Sequence, residues 1–237
     1  MAKRRKRHRH WKRRVLVVVL AVIAFSMLVT LPFRWLAPPT TAFMLRATGS
    51  GLAGQPPCKA VTRHWVDLEN IAPVMPLAVI AAEDQRFPVH RGLDLGAIAT
   101  AIQERHEAGR IRGASTLTQQ LVKNLYLWPR QSMFRKMLEA WLAVTLEATW
   151  SKQRIMEVYL NVVQFGDCTF GVQAASQRFF RKSAADLTDR EAALLAAALP
   201  NPVRLPVDRP TDYTQERTNW ILGQMQLLGG TNFLRGL

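Results

Sequence analysis

From residue 15 to residue 31 the chain carries no charged side chain, and only Ser26 and Thr30 interrupt a run of Val, Leu, Ala, Ile, Phe and Met. At about 1.5 Å per residue, a helix of this length is near the lower limit for spanning a bilayer. Pro32, Phe33, Arg34 and Trp35 follow, and a Trp beside a snorkelling Arg suits a membrane face. Farther along, an apolar run over 76–82 leads into Glu83, and Leu95, Ile98, Ala99 and Ile102 keep helical spacing. The glycine-flanked stretch 109–113 breaks that helix and reads as a mobile connection. Ser115 or Thr116 suits the N-cap of the next helix, with Gln119 at or near the capping-box position. Residues 135–149 and 151–161 read as two further helices, and Gly166 and Gly171 bound a turn. Thr188 and Glu191 form a capping box ahead of 192–199, which Pro200 and Pro202 terminate. A last helix over 213–228 buries Ile221, Met225 and Leu228 and stops at Gly229 and Gly230. With no internal repeat and no alternating strand run, the pattern predicts a mainly α domain behind one transmembrane helix.

Charge sharpens the reading of the N-terminus. The net charge is +15, but residues 1–14 hold nine Lys and Arg and no acid, which leaves +6 for the rest. A basic arm of this kind also suits a phosphate backbone. The adjoining apolar run explains it better, because positive-inside topology requires such a block. A cleaved signal peptide would need a small-x-small site directly after the apolar run, and the candidates lie beyond Pro38. The expected organisation is therefore a basic cytoplasmic tail at 1–14, an anchor at 15–36, a Pro- and Gly-rich linker at 37–62 and a folded domain at 63–237 outside the membrane. Cys58 and Cys168 have no metal-type spacing, and whether they pair is not legible in the sequence.

Three stretches carry candidate chemistry. Glu83 arrives at the end of an apolar helix, where desolvation raises a carboxyl pKa and suits it to act as a base. Pro88 and Gly92 place His90 and Asp94 on a loop that folds back. Alone, the stretch slightly favours the plainer reading, a solvated helix end with His90 capping. Next, Thr116, Gln120 and Lys123 share a helix face with Gln119 on its edge, a place to hold an oxyanion or a sugar, or simply a solvated face. Finally, Arg135 and Lys136 stand four and three residues before Glu139. An ion pair of that order adds only about 0.2–0.5 kcal/mol to a helix, so two cations and a carboxylate there suit a pyrophosphate with its divalent ion. Large apolar side chains interleaved with cations over 125–136 read as a surface dipping into headgroups. Glu147 and Glu157 read as structural hydrogen-bond partners.

Taken in order, these motifs resemble a known family. Glu83-Asp84 with Phe87, His90, Gly92 and Asp94 comes first. Gly113 follows with Ser115, Thr116, Gln119, Gln120, Lys123 and Asn124, then Arg135-Lys136 with Glu139. Lys152, Ile155, Glu157, Tyr159, Leu160 and Asn161 complete the set. Together they resemble the peptidoglycan glycosyltransferases, the transglycosylase module of bifunctional penicillin-binding proteins, from about residue 65 to residue 202. The absence of Ser-x-x-Lys and Lys-Thr-Gly points to the monofunctional, membrane-anchored biosynthetic form. Gln173 and Phe179 depart from the family pattern, where Glu and Tyr are common.

The resemblance implies a lysozyme-like helical fold on the cytoplasmic (inner) membrane, with its cleft opening toward the bilayer. It implies polymerisation of lipid II, with the growing chain leaving undecaprenyl pyrophosphate for the 4-hydroxyl of lipid II, and inhibition by moenomycin. Glu83 matches the base and Glu139 the second carboxylate, near the pyrophosphate and a Mg²⁺ or Mn²⁺ ion; no organic cofactor is expected. Lys123, Arg135 and Lys136 match the cations facing the leaving group. Asp84, Phe87, His90, Gly92, Ser115, Thr116, Gln119, Gln120 and Asn124 match substrate-binding positions. Expected partners are lipid II, the growing glycan, membrane lipids and other division or wall-synthesis proteins, with no nucleic acid. Two rival readings remain: a lytic transglycosylase or muramidase, which needs no pyrophosphate clamp, and a non-catalytic scaffold.

Overall fold

The computed structural model describes residues 2–51, 56–108, 115–128 and 132–237, so the glycine-flanked stretch 109–113 lies outside the described residues. Helix α1 (Ala2–Thr30) continues through a 3-10 turn, Leu31–Arg34, with Pro32, a residue without an amide proton to donate, near its start. Residues Trp11–Arg34 are long and apolar enough to cross a membrane and little buried against the rest of the protein, which fits a single-pass anchor.

The stretch expected to be plain linker contains a helix. α2 (Ala42–Gly49) is capped by the Thr41 hydroxyl, which accepts from the Met44 amide, and it buries Met44 and Ala47. It packs on α5 (Leu117–Tyr126), so this part of the connector belongs to the domain. Flanking Pro and Gly disguised it, because eight residues give too short a window for helical periodicity to stand out.

The core is built around α3 (Val74–Glu83), in which every side chain from Met75 to Ala81 is buried. A helix apolar all round must be enclosed. Next in the chain is α4 (Leu95–Ala108), followed by α5. Beyond them come α6 (Met133–Thr149), capped by Ser132, and α7 (Lys152–Val162), capped by Ser151. A short antiparallel hairpin, β1 (Gln164–Gly166) with β2 (Thr169–Phe170), was not expected. Strands of three and two residues leave no alternation to read. Then come α8 (Val172–Phe180), α9 (Asp189–Ala198) and α10 (Asp212–Leu227). Five buried alanines let α9 approach α3 and α10 closely. Helices α3, α9 and α10 form one group; α5 packs on α6 and α7 in a second. Leu228, expected in the core, is only half-buried at the end of α10.

Cys58 and Cys168 form a disulfide, answering the question left open by their spacing. Cys168 sits in the hairpin turn at φ +55°, and its carbonyl accepts from the Thr62 amide, so the segment after α2 is both bonded and hydrogen-bonded to the hairpin. The two departures from the family pattern have ordinary packing roles. The Gln173 side chain accepts from the Ala184 amide, and the Phe179 ring covers Gly166, where a Cβ would lie 2.9 Å from it.

Candidate active site

Glu83 is the last residue of α3, which brings a carboxylate out of the core at the edge of a cavity of about 1010 Å³. Its Oε2 accepts from Gln120 Nε2 at 2.9 Å, and its Oε1 accepts from Arg217 Nη2 at 3.2 Å. Gln120 is held in turn, because its Oε1 accepts from the hydroxyl of fully buried Tyr159 at 2.9 Å. Burial raises the Glu83 carboxyl pKa above its usual 4.5, while the Gln120 hydrogen bond and the charges of Arg217 and Lys123 pull it down. The result is a carboxylate whose pKa burial raises and whose two oxygens are both tied.

One helical turn beyond Gln120, Lys123 lies over the Phe43 ring of α2, 5.6 Å from its centroid. Burial lowers its pKa. Glu139 and Glu83 oppose that shift, whereas Arg135 and Lys136 add to it. Lys123 therefore lies in the field of both candidate carboxylates. Among the described residues no carboxylate or carbonyl pairs with its ammonium directly.

Glu139, on α6, is 3 % exposed and lies between two cations. Its Oε2 accepts from Arg135 Nη1 at 2.9 Å and its Oε1 from Lys136 Nζ at 2.5 Å. Lys136 also donates to the Ser115 hydroxyl at 2.9 Å, which links the start of α5 to α6. The buried Arg135 Nε has no partner among the described residues. Two cations thus pair with one carboxylate and Lys123 lies in its field, an arrangement with spare positive charge for an anionic group. It does not fit a protein-made metal cage. Both Glu139 oxygens are committed to cations, and Mg²⁺ or Mn²⁺ needs several free oxygen ligands. Among the described residues the one cluster with metal-like spacing is Cys58, Asp167 and Cys168, whose thiols are consumed by the disulfide.

Six other expected site residues are drawn inward. Asp84 accepts at Oδ2 from His90 Nε2 at 2.8 Å and from the Leu117 amide at 2.9 Å, so a carboxylate sits at the N-terminus of α5. His90 Nδ1 accepts from the Gly92 amide, which leaves Nε2 as the protonated nitrogen. The Thr116 hydroxyl donates to the Gly92 carbonyl at 2.7 Å and caps α5 in a reciprocal box with Gln119. Gly92 needs its lack of a side chain: at φ +91° a Cβ would meet the Ala143 backbone at 2.9 Å. Phe87 is wholly buried beneath Lys152, whose ammonium lies 4.4 Å from the ring centroid and donates to Glu147 and to the His90 carbonyl. Asp84, Phe87, His90, Gly92, Thr116 and Gln119 thus spend their contacts inside the protein, fixing where Glu83 and α5 meet. Asn124 is likewise buried on α5. Ser115 and Gln120 line the cavity with Glu83, and Lys136 joins Ser115 to the buried Arg135–Glu139 pair, with Lys123 in the field of both carboxylates.

Arg217 was missed. It looks like one more polar position on the amphipathic α10, and its contact with Glu83 spans 134 residues of chain. Its own buried Nε lacks a partner among the described residues. The two structural glutamates are where they were expected. Glu147 accepts from Thr118 and Lys152, and Glu157 pairs with Arg154 and accepts from the Leu68 amide.

Comparison with known proteins shows the family. The family model described as Transglycosylase matches residues 51–226. A biosynthetic peptidoglycan transglycosylase of Klebsiella oxytoca is 54 % identical over 200 residues, covering 83 % of this chain and 82 % of its own. The proteins of that name from Pseudomonas syringae pv. syringae and Xylella fastidiosa are 46 % and 43 % identical. The first alignment covers 95 % of both chains, and the second covers 94 % of this chain and 92 % of the relative. With the family model matching most of the chain and relatives of 43–54 % identity, the chain belongs to the transglycosylase family.

Proposed function

We propose that this protein polymerises lipid II into β-1,4 glycan, transferring the growing chain from undecaprenyl pyrophosphate to the 4-hydroxyl of the next lipid II. The single observation that carries the reading is a buried, tethered Glu83 together with a Glu139 carboxylate that Arg135 and Lys136 share, with Lys123 in the field of both carboxylates. In the transfer, the acceptor oxygen bonds to the donor anomeric carbon as the bond to pyrophosphate breaks. Glu83 takes the acceptor proton, and Lys123, Arg135 and Lys136 offset the charge that gathers on the departing pyrophosphate. Gln120 and Arg217 hold the Glu83 carboxylate in place for that proton. A lytic enzyme would have no use for such a clamp. Any divalent ion would arrive with the pyrophosphate, since Glu139 is committed to Arg135 and Lys136.

The same reading places residues 1–14 in the cytoplasm and the domain outside, in line with the positive-inside rule. The Cys58–Cys168 disulfide supports that side, because such bonds persist in oxidising compartments. Exposed Trp128, Met133, Phe134 and Met137 supply an apolar surface that suits a bilayer face. The test is glycan formation from purified lipid II in detergent, comparing wild type with Glu83→Gln. Polymer from wild type and essentially none from the variant is expected. Cleavage of finished glycan, with lipid II left untouched, would replace this reading with the lytic one.

A further inference from the structure

Among the described residues, helix α1 packs against the domain toward its C-terminal end. Ser26 and Thr30 are buried there, with the Trp141 indole donating to the Ser26 hydroxyl at 2.8 Å and the Trp150 indole to the Thr30 carbonyl at 3.2 Å. Toward its N-terminus the helix stands away, and Val18 and Phe25 are 61 % and 67 % exposed. The wedge so formed is a groove of about 580 Å³ between α1 and the α5–α6 pair. Its walls include Val22, Phe25, Leu138 and Leu142. The polar atoms of Ser26, Tyr126 and Trp141, which also line it, are turned to protein partners: Ser26 donates to the Val22 carbonyl, and the Tyr126 hydroxyl reaches the Val29 carbonyl at 3.5 Å. What the groove offers to an occupant is hydrocarbon.

Its position identifies the occupant. Leu138 and Leu142 lie within one turn of Glu139 on α6, and Tyr126 lies one turn beyond Lys123 on α5. The cation cluster and the groove therefore draw on adjoining positions of the same two helices, about one turn apart on α5 and interleaved on α6. A molecule with a diphosphate head and a long hydrocarbon tail, its head at Lys123, Arg135 and Lys136, would find the groove where the tail leaves. A bilayer phospholipid has the tail chemistry without a head that would fix it there. We propose that the wedge between α1 and α5–α6 is a binding site for the first isoprene units of the substrate's prenyl chain. This rests on the lipid II reading above.

The full chain in phospholipid nanodiscs is labelled with a long-chain prenyl pyrophosphate that carries a diazirine near its head. Label is expected on Val22, Phe25, Leu138 and Leu142, with excess unlabelled prenyl pyrophosphate competing it away and excess phospholipid failing to do so. Label spread evenly around α1, Leu28 included, or label that phospholipid displaces, overturns the proposal. A second arm fills the groove. Ala21→Trp should raise KM for long-chain lipid II several-fold and leave KM for a short-chain analogue unchanged. Leu28→Trp, on the exposed side of the same helix, should change neither. Equal behaviour of the two variants also overturns it. If wild type polymerises neither substrate, the functional reading fails, and the photolabelling still decides the groove.

Discussion

The Arg217 guanidinium sits 3.2 Å from the Glu83 carboxylate, joining α10 to the end of α3 at the candidate base. Burial pushes the Glu83 pKa up, and Arg217 is one of the groups that restrain it. Arg217→Ala should therefore move the acid limb of the kcat/KM profile to higher pH, with Arg217→Lys moving it less. A limb that stays in place while activity falls would assign Arg217 a purely structural role.

The raised pKa of Glu83 also makes a stability prediction. The folded protein holds this proton more tightly than the unfolded chain, whose carboxyl titrates near 4.5. The associated stability is complete below the unfolded pKa and is lost as pH rises through the raised folded value. Glu83→Gln abolishes the charge, so it should melt above wild type at about pH 7–8, with the gap closing toward about pH 4. Scanning calorimetry in detergent at several pH values checks this. A constant gap across the range would contradict it.

How much of this was visible beforehand depended on distance along the chain. The Thr116–Gln119 and Thr188–Glu191 boxes were legible because both partners lie within one helical turn. The cations and Glu139 were legible for the same reason, and Glu83 because an apolar run ended on it. Arg217, the hairpin and the Cys58–Cys168 bond were not. Each depends on contacts over long separations, 134 residues for Arg217 and 110 for the disulfide, which no local period encodes. The inward turn of Asp84, His90 and Thr116 was hidden too. A polar residue near a reactive carboxylate looks the same in sequence whether it meets substrate or braces a loop.

Glu139 should be costly to remove. It is buried between Arg135, whose side chain is 8 % exposed, and the half-exposed Lys136. Breaking a buried pair by deleting one partner costs about 3–5 kcal/mol, and water reaching Lys136 reduces that toward the lower end. Glu139→Ala should lower the denaturation midpoint by about that free energy, and Glu139→Gln by less, because the amide oxygen still accepts from Arg135. Urea titration of the two variants measures both.

The disulfide closes a loop across 110 residues. Chain-entropy arguments give about 2–4 kcal/mol for a bond of this kind. Reduction, or paired Cys58→Ser and Cys168→Ser, should lower Tm by roughly 4–16 °C for a domain of this size. Unfolding scans with and without reductant test it. An unchanged Tm would show that the Thr62 to Cys168 and Phe170 to Thr62 backbone bonds suffice.

The anchor is pinned where it meets the domain. Trp141 and Trp150 grip its last turn, and Arg154 donates to the Phe33 and Leu36 carbonyls just beyond. Nothing here resembles a leash. An enzyme so mounted works at one altitude above the lipid surface and meets its substrate by gliding sideways in two dimensions.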